Sequence, residues 1–503
     1  MKLFKYIPVL LILVSCGEWL DVNKNPNSPS EVEYELVLPS GISSVAYVMG
    51  GRYQVLGALW SQHWTQSPGA SQYSGIDSYD INSSSFDRQF RELYSGALKA
   101  FEYIKQESEK ESEWQYYLIA TTMQAYTFQV LADLYDQIPF SEALEGETGN
   151  LTPRYENGGD IYDSLITRLD YALSKDFYDL ELKNPGENDL LFGGDITVWE
   201  QFANTLKLKI YLRQTEVNPE KARQGIEELY RNEVDFLSVD AAMVQFSNET
   251  GGRNPLYETE INFLGGNPNL VLSRTMHSYL IEKNDFDRLN YMFYTPAAGG
   301  GHKSLIQGNY NDPEEPAGTN SSSYSKPVFG PVDPVYLMSY SEACFLQAEA
   351  IMRYDVDDYS VAKEKYDEAV IYAYYRVLYP YFSVTYIVDL AEAYLRGPYR
   401  FPSDGSNIEE FIKSIIIQKW VSLAGIQSLE TFFEHNRTHY PEISDISPDD
   451  DGYEPGEFTV SVNNVTSGRF PKRLIFPESE ASGNPNTPAG KPVWEKIWWD
   501  KKQ

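Results

Sequence analysis

Residues 114–144 read WQYYLIATTMQAYTFQVLADLYDQIPFSEAL, and their spacing sets the fold class. Trp114, Tyr117, Leu118, Thr121, Ala125, Phe128, Ala132 and Tyr135 recur mostly three or four apart, the period of a helix burying one face. Pro139 disfavours helical geometry at Ile138 and has no backbone donor, so the helix is expected to stop near Gln137. The other periodic stretches need a stripe to pack against, and this segment supplies one.

Outward from it, small and large apolar residues alternate as in tetratricopeptide-type helical pairs. Trp199-x-x-Phe202-Ala203-x-x-Leu206 fits a first helix, and Ala362-x-x-x-Tyr366-x-x-Ala369, preceded by Leu346 and Ala350, fits a second. Ala97-x-x-x-Phe101-x-x-Ile104 and Leu165-x-x-x-Leu169-x-x-Ala172 repeat the second pattern. The intervals between them are irregular, which predicts degenerate repeats separated by insertions. The stretches at about 53–86, 240–335 and 436–495 lack the helical period and read as long irregular loops. Loops of that length in a compact chain carry function or small structure of their own. No composition break marks a linker, so 32–503 reads as a single, mainly α-helical domain with loop insertions.

Acids outnumber bases, 73 to 41, for a net charge of −32 over 503 residues. Such a surface repels phosphate backbones and anionic membranes, which argues against nucleic-acid binding. The 39 tyrosines suit surfaces that handle polar ligands, because each ring pairs a flat apolar face with a polar tip; they equally suit partly solvated cores. With only Cys16 and Cys344 in the chain, a structural disulfide is not expected, and Cys344 reads as a buried small apolar residue.

The first residues, MKLFKYIPVLLILVSC, join a basic start to an apolar run too short to span a bilayer. This reads as a signal peptide over 1–15. Leu13-Val14-Ser15-Cys16 is similar to a lipobox, which makes Cys16 the expected lipid attachment site; the alternative is an ordinary secretory signal with an incidental cysteine. Residues 16–31 are polar and turn-rich, as a tether should be.

Ala132–Leu144, ADLYDQIPFSEAL, resembles a segment of the SusD/RagB family, surface lipoproteins of Bacteroidetes that capture nutrients for a TonB-dependent transporter. Further matches follow in order: Asp21-Val22-Asn23 with Asn25-Pro26-Asn27, Trp199–Arg213, Leu337–Ala350, Gln418-Lys419-Trp420, Arg437-Thr438-x-Tyr440-Pro441, Phe470–Leu474 and Ile497-Trp498-Trp499-Asp500. They cover nearly the whole mature chain. One departure is Asp136-Gln137, where the family often has Gly-Asp; it is expected to alter a local turn only. The resemblance implies a SusD-like fold whose loops form the binding face, a SusC-like β-barrel partner, a glycan or peptide ligand, and an outer-membrane location facing the exterior.

Enzyme signatures are scarce: there is no GxxxxGK[ST], GxSxG or CxxC. His435 and His439 stand four apart, but Asn436 replaces the glutamate of HExxH, and Asp449–Gly452 lacks the glutamate of a calcium loop, with Phe458 in its place. No metal and no cofactor are expected. The candidate ligand contacts are Trp60, His63, Trp64, Tyr73 and Tyr79 in the early loop, with Tyr294, Tyr310 and Tyr324 in the middle one. Trp60 and Trp64, four apart, fit a buried helix face equally well. Two other readings stand beside the binding protein: a secreted glycan-active hydrolase, and a repeat scaffold that binds only protein.

Overall fold

The structure, a computed structural model, describes residues 32–146, 149–264, 269–296, 299–311 and 321–502; Cys16, the signal segment and the tether lie outside the described residues. The principal helices are α1 (Leu38–Gly50), α2 (Arg52–Trp60), α3 (Lys99–Glu111), α4 (Trp114–Tyr135), α5 (Gly158–Leu173), α6 (Ile196–Arg213) and α7 (Pro219–Arg231). They continue as α8 (Arg274–Glu282), α9 (Phe286–Met292), α10 (Tyr340–Tyr354), α11 (Tyr359–Leu378), α12 (Val384–Arg396), α13 (Ile408–Ser422) and α14 (Ser428–Thr438). The few strands pair only two by two. Helical hairpins α3–α4, α6–α7, α10–α11 and α13–α14 form the scaffold; α6–α7 and α10–α11 carry the expected patterns, whereas Phe101 and Ile104, expected on a second helix, lie on α3, the first helix of its hairpin. Trp199, Phe202, Ala203 and Leu206 on α6, and Ala362, Tyr366 and Ala369 on α11, are all buried.

The central helix is α4, and here the structure corrects the amphipathic reading. Every residue from Gln115 to Tyr135 is buried, so all faces of the helix are covered, by α3, α5, α6 and the C-terminal segment. Its polar residues find partners inside. Thr122 and Thr127 donate to the carbonyls of Leu118 and Met123, and Gln124 donates to Glu102. The Asp133 carboxylate accepts from Tyr162 Oη at 2.5 Å and Trp499 Nε1 at 2.7 Å.

The helix ends at Tyr135, as Pro139 dictates, and Asp136 takes φ +68°. That is where the SusD/RagB pattern often has glycine, and an L-residue at positive φ costs about 1 kcal/mol. Asp136 offsets the cost by capturing the C-terminal segment: its carboxylate accepts from Trp498 N at 2.7 Å and lies 3.3 Å from Arg473 Nη1. Leu474 N donates to Leu134 O at 2.7 Å beside it.

A buried charge lattice ties the hairpins together. Lys209 pairs with Glu342 (2.9 Å) and Glu430 (2.8 Å), and Arg213 with Glu430 and Glu434 (both 2.7 Å) and Asp133 (3.2 Å). Arg437 spans both oxygens of Glu349 at 2.7 Å and also holds Glu434, while Arg353 holds Glu349 at 2.6 Å. Lys419 lies 3.5–3.7 Å from Glu342, Glu430 and Glu434. These residues lie on α4, α6, α10, α13 and α14, and the carboxylates would stay buried and unpaired if one helix were displaced.

Two stretches read as loops contain helices. Residues 53–86 open within α2, which crosses α14 so closely that a Cβ on Gly57 would lie 2.1 Å from Leu429 N. Residues 240–335 include α8 and α9, whereas 436–495 holds only short pieces such as Glu478–Gly483. The missed helices are short, and tertiary burial rather than a long apolar stripe stabilises them.

Candidate functional site

A cleft of about 310 Å³ opens where the early and middle insertions meet the C-terminal end of α11. Strand Trp64–Gln66 pairs antiparallel with Leu270–Leu272 and places Trp64 in the cleft wall. Strand Phe293–Tyr294, directly after α9, pairs antiparallel with Lys326–Pro327, and Val328 N donates to Met292 O at 2.9 Å. This pairing carries Tyr291, Phe293 and Phe329 into the same wall. The turn after α11 closes the other side, with Tyr381 N and Phe382 N both bonded to Leu378 O.

The aromatic rings are held by one another. Tyr291 lies 4.6 Å from Tyr381 and 5.3 Å from Phe382, centroid to centroid, and Trp64 lies 6.5 Å from Phe329. Phe382 stacks on Tyr386 at 4.8 Å, and Tyr375 packs on Tyr379 at 4.6 Å, so an aromatic strip runs from the cleft over the adjoining surface. Tyr294, Tyr379 and Tyr381 are more than half exposed. A flat, solvated strip leading into a cleft suits a ligand with apolar faces and polar edges.

Polar groups among these rings supply direction. Arg376 lines the cleft and donates to Ser422 O at 2.8 Å, with no ion pair among the described residues. Burial lowers its pKa, and Tyr336 and Asp240 raise it in opposition. Its remaining N–H groups are donors in a fork. Tyr336 is a phenol at any physiological pH, because burial pushes it up to about 12. Asp333 accepts from Gly330 N at 2.6 Å and keeps a second carboxylate oxygen for the cleft. Asn254, by contrast, is committed: it caps Leu256 N and Tyr257 N and donates to Asp333 O.

The ligand contacts expected from the sequence are placed unevenly. Trp64 is in the cleft wall and Tyr294 is exposed on the neighbouring strand. Trp60 is wholly buried against Phe432, with Nε1 donating to Ile76 O at 3.0 Å. His63 is buried between Ser428 Oγ (2.9 Å) and Trp420 O (3.0 Å), and burial lowers its pKa to about 3. Tyr73 is bonded to Glu260, and Tyr79 Oη accepts from Ser461 N at 3.1 Å. Tyr324 packs in a small cluster with Val271 and Leu305, and Tyr310 is half-buried with its hydroxyl 3.3 Å from Ser74 O. The buried rings have no face open to a ligand.

Phe329, Tyr336, Arg376 and Tyr381 were not among the candidates. The signal was present in the tyrosine-dense run Tyr372–Tyr386 at the end of α11, which helical periodicity alone assigns to the scaffold. His435 is buried inside α14 with Nδ1 2.9 Å from Pro441 O, and His439 ends that helix at φ +59°. Among the described residues, no three His, Cys, Asp or Glu side chains cluster as metal ligands, and no helix is long and apolar enough to cross a membrane.

Residues 26–461 match a SusD-like family described as "Starch-binding associating with outer membrane". The chain is also similar to solved structures. A chitin-binding protein is 21% identical with TM-score 0.74, covering 93% of this chain and all of its own. A SusD homologue from Bacteroides uniformis is 20% identical with TM-score 0.73, covering 93% and 99%. A chitin-binding SusD homologue from Flavobacterium johnsoniae is 18% identical with TM-score 0.69, covering 92% and 98%. No curated protein matches the sequence.

Proposed function

The chain belongs to the SusD-like family, and from that premise we propose that it is a lipid-anchored, outward-facing binding protein that captures glycans and delivers them to a SusC-like TonB-dependent β-barrel. The observation that supports the reading best is the cleft where Trp64, Tyr291, Phe329 and Tyr381 converge around Arg376 and Asp333. The C–H faces of a pyranose stack on such rings, and its hydroxyls accept from a guanidinium and donate to a carboxylate. Tyr379, Tyr386 and Tyr294 extend the surface over which further sugar units can lie. Cys16 is the proposed lipid attachment site, and residues 16–31 are the proposed link between that anchor and the domain.

Capture needs no reaction centre. The family's description names binding, and the chain has no recognisable catalytic motif. Incubation with chito-, malto- and other oligosaccharides tests this directly: free ligand should fall with no shortening of the chains. Product formation would favour the hydrolase reading. Gentle detergent extraction of the native membrane with a C-terminal tag tests delivery, with a stoichiometric large β-barrel expected to co-purify. A monomer without a barrel, even after mild crosslinking, would contradict it.

A further inference from the structure

A second cavity, of about 440 Å³, lies between α8, α13 and the loop Glu454–Glu457, and shares no lining residue with the aromatic cleft. Its size is in the range that takes small organic ligands. Its floor is made by Tyr279 and Tyr399, whose rings stack at 6.3 Å. The far wall is built to close on that floor. Gly456 has φ +97°, and a Cβ there would lie 2.7 Å from the Tyr279 ring, so only glycine lets the loop pack so tightly. Tyr453 Oη donates to Glu457 O at 2.5 Å and holds the loop in shape.

The charges around this cavity differ from those in the cleft. Lys413 and Glu442 neutralise each other at 2.7 Å. Lys283 and Arg400 also line the cavity, as do Glu454 and Glu457, and none of the four has an ion pair among the described residues. In the wall, Gln418 is 2% exposed; its Nε2 donates to Tyr279 Oη at 3.0 Å and its Oε1 has no partner among the described residues. A buried amide oxygen without a donor is a standing cost unless a ligand supplies an N–H or O–H.

We propose that this cavity is a second binding site, for a small zwitterion of free-peptide type, its carboxylate drawn to Lys283 and Arg400 and its ammonium to Glu454 and Glu457. A neutral sugar would leave all four charges unmatched. A polyanion would meet two carboxylates as well as two cations, and a simple cation the reverse. A molecule with both charges, a backbone N–H for Gln418 and a flat amide for the tyrosine floor matches the four charges without ion pairs, the unpartnered amide oxygen and the rings together.

Triglycine and its blocked form, N-acetyl-triglycine amide, are the probes, titrated calorimetrically into the intact domain. Triglycine is expected to bind, and blocking both ends to weaken it at least about tenfold, as loss of a charge-assisted contact implies. Lys283→Gln with Arg400→Gln, the first half-buried and the second exposed, should weaken triglycine by a similar factor. Tyr291→Ala in the aromatic cleft should leave it unchanged. Absence of triglycine binding at millimolar concentration, equal binding of the blocked form, or loss of binding in Tyr291→Ala would each overturn the assignment. A failure of glycan binding in the cleft would not bear on it.

Discussion

Arg437→Met removes the guanidinium that bridges Glu349 and Glu434 at the centre of the buried charge lattice, and it leaves two buried carboxylates short of a cation. Breaking a buried pair costs about 4 kcal/mol. Unfolding a chain of this size carries an entropy of about 1 kcal/mol/K, so the melting temperature should fall by about 4 °C. Burial by itself would raise the Glu434 carboxyl; Arg437, Lys419 and Arg213 outweigh it and hold the group well below the usual range. A carboxyl depressed in the fold contributes stability that is present above its unfolded pKa and lost as pH falls through its folded one. The deficit of the variant should therefore be full at pH 7 and should narrow below about pH 4. Urea unfolding of both proteins at pH 7 and pH 3.5 or so measures it. Adding Glu434→Gln to Arg437→Met should recover part of the loss, since it removes one unpaired charge. An unchanged melting temperature at pH 7, or a deficit that widens in acid, would refute the reasoning.

Other consequences follow from single groups. Asp136→Ala keeps the strained φ and loses the bonds to Trp498 N and Arg473, so it should destabilise by about 2 kcal/mol, more than Asp136→Gly, in the same urea assay. Cys344 is fully buried and its thiol is pushed up to about 12 by burial, so iodoacetamide at pH 8 should leave Cys344 unmodified in the native protein and label it in urea. His63, His277 and His435 are all held neutral by burial, the first two with pKa lowered to about 3 and about 4. A depressed histidine contributes stability that is complete above the unfolded pKa of about 6.5 and is lost as pH falls towards its folded value, so the three together should remove up to about 4 kcal/mol per pH unit between about pH 6 and 4. Their imidazole resonances should show no titration from pH 8 to 5.5, and a shift in that window would contradict the burial.

The scaffold was legible because its residues answer to two constraints at once. Trp199, Lys209 and Arg213 share one helical period, and the two cations also supply the charge lattice; Glu342, Glu349, Glu434 and Arg437 do the same on their helices. Asp133, Asp136, Arg473 and the Trp498–Trp499 pair are far apart in sequence and meet at the end of α4, so the ordered motifs are the two sides of one contact. The site was less legible. Burial of Trp60 and Tyr79 is set by α14 and by the segment around Ser461, hundreds of residues away, and an aromatic residue in a polar stretch does not announce which side of such a contact it faces. Asp136 shows the same limit: its type departs from the family's glycine, and only the fold reveals that its carboxylate is used.

The most direct test of glycan capture is calorimetric titration of chito- and malto-oligosaccharides into the wild-type domain and into Tyr291→Ala and Tyr381→Ala. Each ring contributes about 1.4 kcal/mol of stacking, so an oligosaccharide that binds the wild type should bind each variant roughly tenfold more weakly, with the melting temperature of Tyr381→Ala unchanged because its ring is more than half exposed. Equal affinity for wild type and variants would place the ligand elsewhere and contradict the account.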